Sequence, residues 1–171
     1  MVRLANINDI NRILEIKDQA VLALKNDGVN QWQNGYPNYE VFINDIKNET
    51  LFVYDDSSVQ GFCNLALEDD PSYEKIYEGE WLTKDSKYLV VHRIAVSTEA
   101  LARGIASSMF NFAYEFAKKN KARSIRIDTH RNNSRMRKLV ERLGYQECGI
   151  IYLLNSLDSD KTRIAYELLI D

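Results

Sequence analysis

The feature that most constrains this chain is a long strand that runs into a glycine-bearing turn and then directly into a helix. From Tyr88 to Val96 the residues read Tyr-Leu-Val-Val-His-Arg-Ile-Ala-Val, β-branched or apolar at most positions. A short polar stretch leads to Arg103-Gly104-Ile105-Ala106-Ser107-Ser108. Ile105, Met109, Phe112 and Phe116 then recur at helical spacing, and Lys118-Lys119 suits a helix C-terminus. The first N–H groups of a helix have no internal partners, so a glycine and a small alanine at its start form a seat for phosphate. Packing alone often accounts for such a junction, so its meaning depends on what surrounds it.

The surroundings alternate strand and helix. Val2 to Ala5 reads as a short strand, and Ile10, Ile13, Leu14, Ala20, Val21 and Leu24 follow as a helix that Asn8 or Asp9 can cap. Gly28 to Tyr39 reads as a loop carrying Trp32 and Tyr36, before a short helix over 40–47. Asp55-Asp56-Ser57-Ser58 is turn chemistry between two β-rich runs, which predicts a hairpin. The segment 69–87 shows no clear period. Ser124 to Thr129 reads as a strand, Met136, Leu139, Val140 and Leu143 mark a helix stopped by Gly144, and strands over 145–154 and 162–170 complete a mixed α/β order.

A chain of 171 residues is close to one domain, and we read 1–171 as a single unit. With 45% hydrophobic and 27% charged residues it has a globular composition. A net charge of −3 lacks the basic field that sequence-independent nucleic-acid binding needs, and favours a cationic partner. Met1 to Asn6 has no apolar signal-like run, and no stretch approaches the roughly 20 apolar residues of a membrane span, so a cytoplasmic location is expected, with no membrane partner. Cys63 and Cys148 make no disulfide framework, and with His92 and His130 they show no metal-ligand spacing. If the chain assembles, a homodimer is the commonest outcome.

About forty residues beyond the glycine turn stands Asn133-Ser-Arg-Met-Arg-Lys-Leu-Val-Glu-Arg-Leu-Gly144-Tyr145. In this order the two blocks resemble the GNAT superfamily of N-acetyltransferases. There, Arg/Gln-x-x-Gly-x-Gly/Ala binds the CoA pyrophosphate, and an Asn-x-x-Ala-x-x-Leu-Tyr-Glu-Lys-Leu-Gly-Phe block follows the next strand. The resemblance implies a mostly antiparallel sheet of about seven strands with helices on both faces. It also implies acetyl-CoA as co-substrate, direct transfer to an amine and no metal. Gly104 and Ala106 match the first block, whereas Leu101 replaces the usual Arg or Gln, with Arg103 a substitute charge. Asn133, Leu139, Glu141, Leu143, Gly144 and Tyr145 match the second, but Met136 and Val140 depart from it. Val140 stands where many members carry the tyrosine that protonates the departing thiolate.

The cofactor contacts implied are Arg103, Gly104, Ile105, Ala106, Ser107 and Asn133, together with strand backbone at Ile94, Ala95 and Val96 that polarises the thioester. For the base, His92 is placed on the strand face of Val90, Ile94 and Val96, with an ordinary pKa near 6.5. Asp128 and His130 stand ready to orient it or the substrate, and Asp128 can equally pair with Arg126 or Arg93. Tyr152 is the candidate acid in place of the missing tyrosine, and Trp32, Tyr36 and Trp81 are candidate walls of the acceptor site. A small-molecule amine is the expected acceptor. A protein or peptide acceptor, or an acyl-CoA-binding module with weakened chemistry, are the alternatives.

Overall fold

The computed structural model describes residues 1–67 and 69–171. In chain order the elements are β1 (Val2–Leu4), α1 (Ile10–Asn26), α2 (Tyr39–Lys47), β2 (Leu51–Asp55), β3 (Val59–Ala66), β4 (Tyr88–Val96), α3 (Ile105–Lys119), β5 (Ser124–Thr129), α4 (Ser134–Arg142), β6 (Gln146–Tyr152) and β7 (Thr162–Leu169). The strands form one sheet in the order β1-β2-β3-β4-β5-β7-β6. Every pairing is antiparallel except β4 with β5, which run side by side in the same direction. That parallel pair is bridged by α3, the crossover that a parallel connection requires. None of the described helices is long and apolar enough to cross a membrane.

Strand alternation divides the core between the two faces. Cys63, Leu65, Leu89, Val91, Ile125 and Ile127 pack with the inner side of α3 and with Val140 of α4. On the opposite face Val53, Phe62 and Ala95 meet Ile10, Ile13 and Ile16 of α1 and Phe42 of α2. The α3 seam is Ile105, Met109, Phe110, Ala113 and Ala117. Phe112 and Phe116, expected to point inward, instead lie at its margin, their rings 5.1 and 5.4 Å from Phe52. The first cap also differs from expectation, because Asn6 and Asp9 form a reciprocal capping pair on a short 3-10 turn just before α1.

The segment 69–87, without a period in sequence, is held by specific contacts. Tyr73 and Trp81 are buried against Tyr88, Val90, Cys148 and Ala165. Trp81 donates its indole N–H to the Tyr73 carbonyl, and Arg126 lies over the Trp81 and Tyr88 rings at 4.2 and 4.0 Å. Beneath it the fully buried Glu167 accepts hydrogen bonds from the Leu82 amide, the Thr83 and Ser124 hydroxyls and Arg126. Tyr77 pairs its backbone with Ile150, extending the β6 edge.

At Gly79 the segment comes so close to that edge that an added Cβ would lie 1.9 Å from the Cys148 carbonyl oxygen. Gly79→Ala therefore forces backbone movement and is expected to destabilise the fold by about 1–3 kcal/mol. Urea unfolding followed by tryptophan fluorescence checks this, and Trp81 should lose its buried emission first.

Candidate functional site

The site begins with a fault in the sheet. β3 and β4 pair Phe62 with Ala95 and Asn64 with His92, so the single Cys63 faces both Arg93 and Ile94. This is a β-bulge, and Arg93 takes the left-handed region at φ 46. The extra residue reverses the alternation. Val91, Ile94 and Val96 all pack toward α3, whereas Val90 and Ala95 face the other way. His92 consequently does not share a face with Ile94 and Val96 as strict alternation predicts; it stays with Val90.

Beyond the first three residues the sheet also opens. β4 pairs with β5 only from Tyr88 to Val90, against Ser124 to Arg126. Past that point the strands diverge and a cavity of about 950 Å³ lies between and around them. His92, Ile94, Ala95 and Val96 of β4, Asp128 of β5, and Asn133 at the start of α4 all stand on its wall. Trp32 and Tyr36 reach it from the α1–α2 loop. The Arg93 guanidinium fixes that loop, donating twice to Asp45 at 2.9 Å and once to the Tyr36 hydroxyl at 2.7 Å.

One side of the cavity is a polar cluster. His92 Nε2 lies 3.5 Å from Asp70 Oδ2, too far for a strong hydrogen bond. Burial and the adjacent Arg93 lower the imidazole pKa to about 3, which corrects the ordinary value assumed from sequence. Asp128 accepts from the Tyr73 hydroxyl at 2.7 Å, and its second oxygen is 4.0 Å from Arg163. It pairs with neither Arg126 nor Arg93, which are taken by Glu167 and Asp45. Burial raises the Asp128 pKa against the opposing pull of Tyr73 and Arg163. The cluster thus joins a neutral imidazole to a carboxylate of raised proton affinity.

The cavity wall reaches Thr98 and Leu101 but does not include the start of α3, which follows a few residues later in the chain. Gly104 precedes it in the left-handed region at φ 73, with open space where a Cβ would project. α2 and α4 are capped by the side chains of Asn38 and Asn133, whereas among the described residues no side chain caps α1 or α3; at α3 this leaves the first amides for an anion. Ala106 and Ser107 are partly exposed there, while the Ile105 side chain is buried in the core and offers only backbone. Arg103 is exposed and paired with Asp56 at 2.6 Å. These residues suit the pyrophosphate of CoA.

Three more candidates lie off the cavity wall. Tyr152 is exposed, packs edge-on against Tyr77 at 5.1 Å and is not on the cavity wall, although the adjoining Leu153 and Leu154 are. Trp81 is a buried anchor of the 69–87 segment, outside the cavity. His130 is buried off the wall, 2.8 Å from Asp160, with its Nδ1 accepting from the Asn132 amide. Val140 is fully buried. Sequence reasoning missed Asp70, Tyr73, Asp158 and Arg163. The one available signal was Asp70-Pro71, a turn-initiating pair in which Asp70 accepts from the Ser72 amide.

A bulged β4 splayed from β5, with an uncapped helix N-terminus after it, defines an acyl-CoA-type cleft. The acetyltransferase (GNAT) family model matches residues 19–145, and the chain belongs to that family. A GNAT-family acetyltransferase from Streptococcus agalactiae is 32% identical with a TM-score of 0.89, covering 100% of this chain and 95% of that one. One from Listeria monocytogenes shares the fold at 19% identity and TM-score 0.73, over 99% and 94% of the two chains. The Salmonella typhimurium protein yncA, solved with its cofactor acetyl-CoA, shares it at 14% identity and 0.68, over 100% and 94%. No curated protein matches the sequence.

The His92 shift has a measurable consequence. Unfolded imidazole takes up a proton below about pH 6.5, whereas the folded form resists until near 3, so stability must fall as pH falls through that window. Between pH 7.5 and 5.0 this amounts to as much as about 2 kcal/mol, and His92→Gln should remove that part of the pH dependence. Urea midpoints at the two pH values, compared between wild type and variant, measure it.

Proposed function

We propose that the protein moves the acetyl group of acetyl-CoA directly onto the amine of a small molecule, in the cytoplasm. The observation that carries the reading is the cavity. It joins the splayed strands to a region bordered by the α1–α2 loop at Trp32 and Tyr36 and by 153–156 of the β6–β7 connection. A volume of about 950 Å³ lies in the range of small-molecule sites.

In this reading the amides that open α3, around Gly104 to Ser107, hold the pyrophosphate, and Asn133 borders the pantetheine path. Backbone N–H groups near Ile94 to Val96, turned by the bulge, meet the thioester oxygen as it gains charge. The amine nitrogen attacks the carbonyl carbon, the C–N bond forms, the C–S bond breaks, and CoA leaves as thiolate. The amine proton passes to His92, which is neutral at working pH, and then to water. No tyrosine is required as acid, because a thiol with a pKa near 8.5 is a competent leaving group in its ionised form.

Two measurements test this. Acetyl-CoA at a hundredfold excess over its dissociation constant should stabilise the protein by about 2.7 kcal/mol in a thermal melt. Gly104→Glu should abolish that shift by placing a carboxylate on the helix N-terminus, while Gly104→Asn, which tolerates the left-handed region, should keep it. Thiol release with amines should require both substrates, and His92→Ala should lower kcat about 10²-fold to 10⁴-fold with the acetyl-CoA shift intact. A folded His92→Ala protein with full turnover would take the proton-accepting role away from His92.

A further inference from the structure

The charges on the cavity wall do not balance. Among the described residues, six carboxylates and three guanidiniums stand on it. Each guanidinium already has its own carboxylate: Arg93 with Asp45 at 2.9 Å, Arg135 with Asp27 at 3.0 Å, and Arg163 with Asp158 at 2.6 Å. Glu49 is exposed to screening water. Asp70 and Asp128 remain, and both lie on the His92 side.

Neither is satisfied by a cation. Among the described residues Asp70 meets no ammonium or guanidinium; its oxygens contact the Ser72 amide at 2.8 Å and His92 Nε2 at 3.5 Å. Asp128 has Arg163 only at 4.0 Å, and that guanidinium is also committed to the Asp160 and Thr162 carbonyls. The two carboxylates also raise each other's cost, since Asp70 pushes the Asp128 pKa up further.

A second observation, independent of net charge, points the same way. The wall residues Asn64 and Asp158 are 2% and 4% exposed, and among the described residues Asn64 Oδ1 and Asp158 Oδ1 have no hydrogen-bond partner. Buried acceptors without donors are costly. A wall with acceptors left over and every guanidinium spent is complementary to a ligand that brings donors and positive charge.

Resting on the acetyl-transfer reading above, we propose that the acceptor is a diamine, with one neutral nitrogen at the thioester and the other held as an ammonium ion by Asp70 and Asp128. A single amine does not suffice, because the reacting nitrogen must shed its proton and then leaves the carboxylates uncompensated. An acceptor bearing its own carboxylate meets repulsion at the same place.

Calorimetric titration of the intact protein with bound CoA tests this. The probes are 1,3-diaminopropane, 1,4-diaminobutane and 1,5-diaminopentane, each with the monoamine and the ω-amino acid of equal length. The tightest diamine should bind at least about tenfold better than its monoamine, with the amino acid weakest. Asp70→Asn and Asp128→Asn should each erode that advantage about fivefold or more, with the acetyl-CoA melting shift retained as proof of folding. Asp70, at the more exposed site, serves if Asp128→Asn fails to fold. Equal binding of the three classes, a preference for the amino acid, or a diamine preference that survives both substitutions overturns the proposal. Diamine binding without acetylation would overturn the transferase reading and leave the cation site standing; acetylation without diamine preference would do the reverse.

Discussion

The single extra residue in β4 governs the rest of this structure. An unbulged β4 would keep alternating, put Ile94 and His92 on one face, and have no reason to leave its neighbour. The bulge at Arg93 turns Ile94 and Val96 toward α3 and leaves His92 on the opposite side. It also throws the Arg93 side chain toward α2, where Asp45 takes it in a two-point ion pair. A left-handed arginine is a strained conformation that persists only where its surroundings over-determine it. Here the ion pair and the Tyr36 hydroxyl do so, and the same contacts fasten the loop that borders the cavity.

Much of this was legible in the residues, and the limits are physical. The strand over 88–96, the helix start at Gly104 and the strand over 124–129 announced themselves through β-branched runs and a glycine, and the structure has them at those places. The block from Asn133 to Tyr145 carried the family, which the match over 19–145 shows. The bulge was not legible, because Arg93 is an ordinary residue for a strand and a positive φ leaves no mark on sequence. Nor was the 69–87 segment, whose hold comes from single long-range contacts, Trp81 on Arg126 and Glu167 on Leu82, which have no periodicity to detect. Trp81 and Tyr152 drew attention as aromatics near a candidate site, and both owe their positions to packing.

The polar cluster shows why residue type alone misjudges a site. Histidine suggests a base near neutrality, yet burial and Arg93 hold His92 in its neutral form far below that range. Burial acts in the opposite sense on Asp128, raising the proton affinity of a group that sequence would rank as a mere counter-ion. Desolvation therefore moves the two in opposite senses, lowering the proton affinity of the imidazole and raising that of the carboxylate. Tyr73 fixes one oxygen of Asp128 and leaves the other toward Arg163, so the carboxylate has a defined free edge.

The departures from the family pattern follow the same logic. Val140 fills the core under α4 and has no exposed surface, so a tyrosine there would have to displace packing as well as reach a thiol. Leu101 in place of the usual basic residue removes a charge near the phosphate seat, but the seat itself is made of backbone: an uncapped helix N-terminus behind a left-handed glycine. A site built on backbone amides tolerates side-chain drift, because the helix dipole and the unpaired N–H groups remain whatever stands beside them. The acceptor side has no such backbone substitute. In the proposed reading its character rests on Asp70, Asp128 and His92, so substrate choice can change there by single substitutions while the CoA end of the cleft stays as it is.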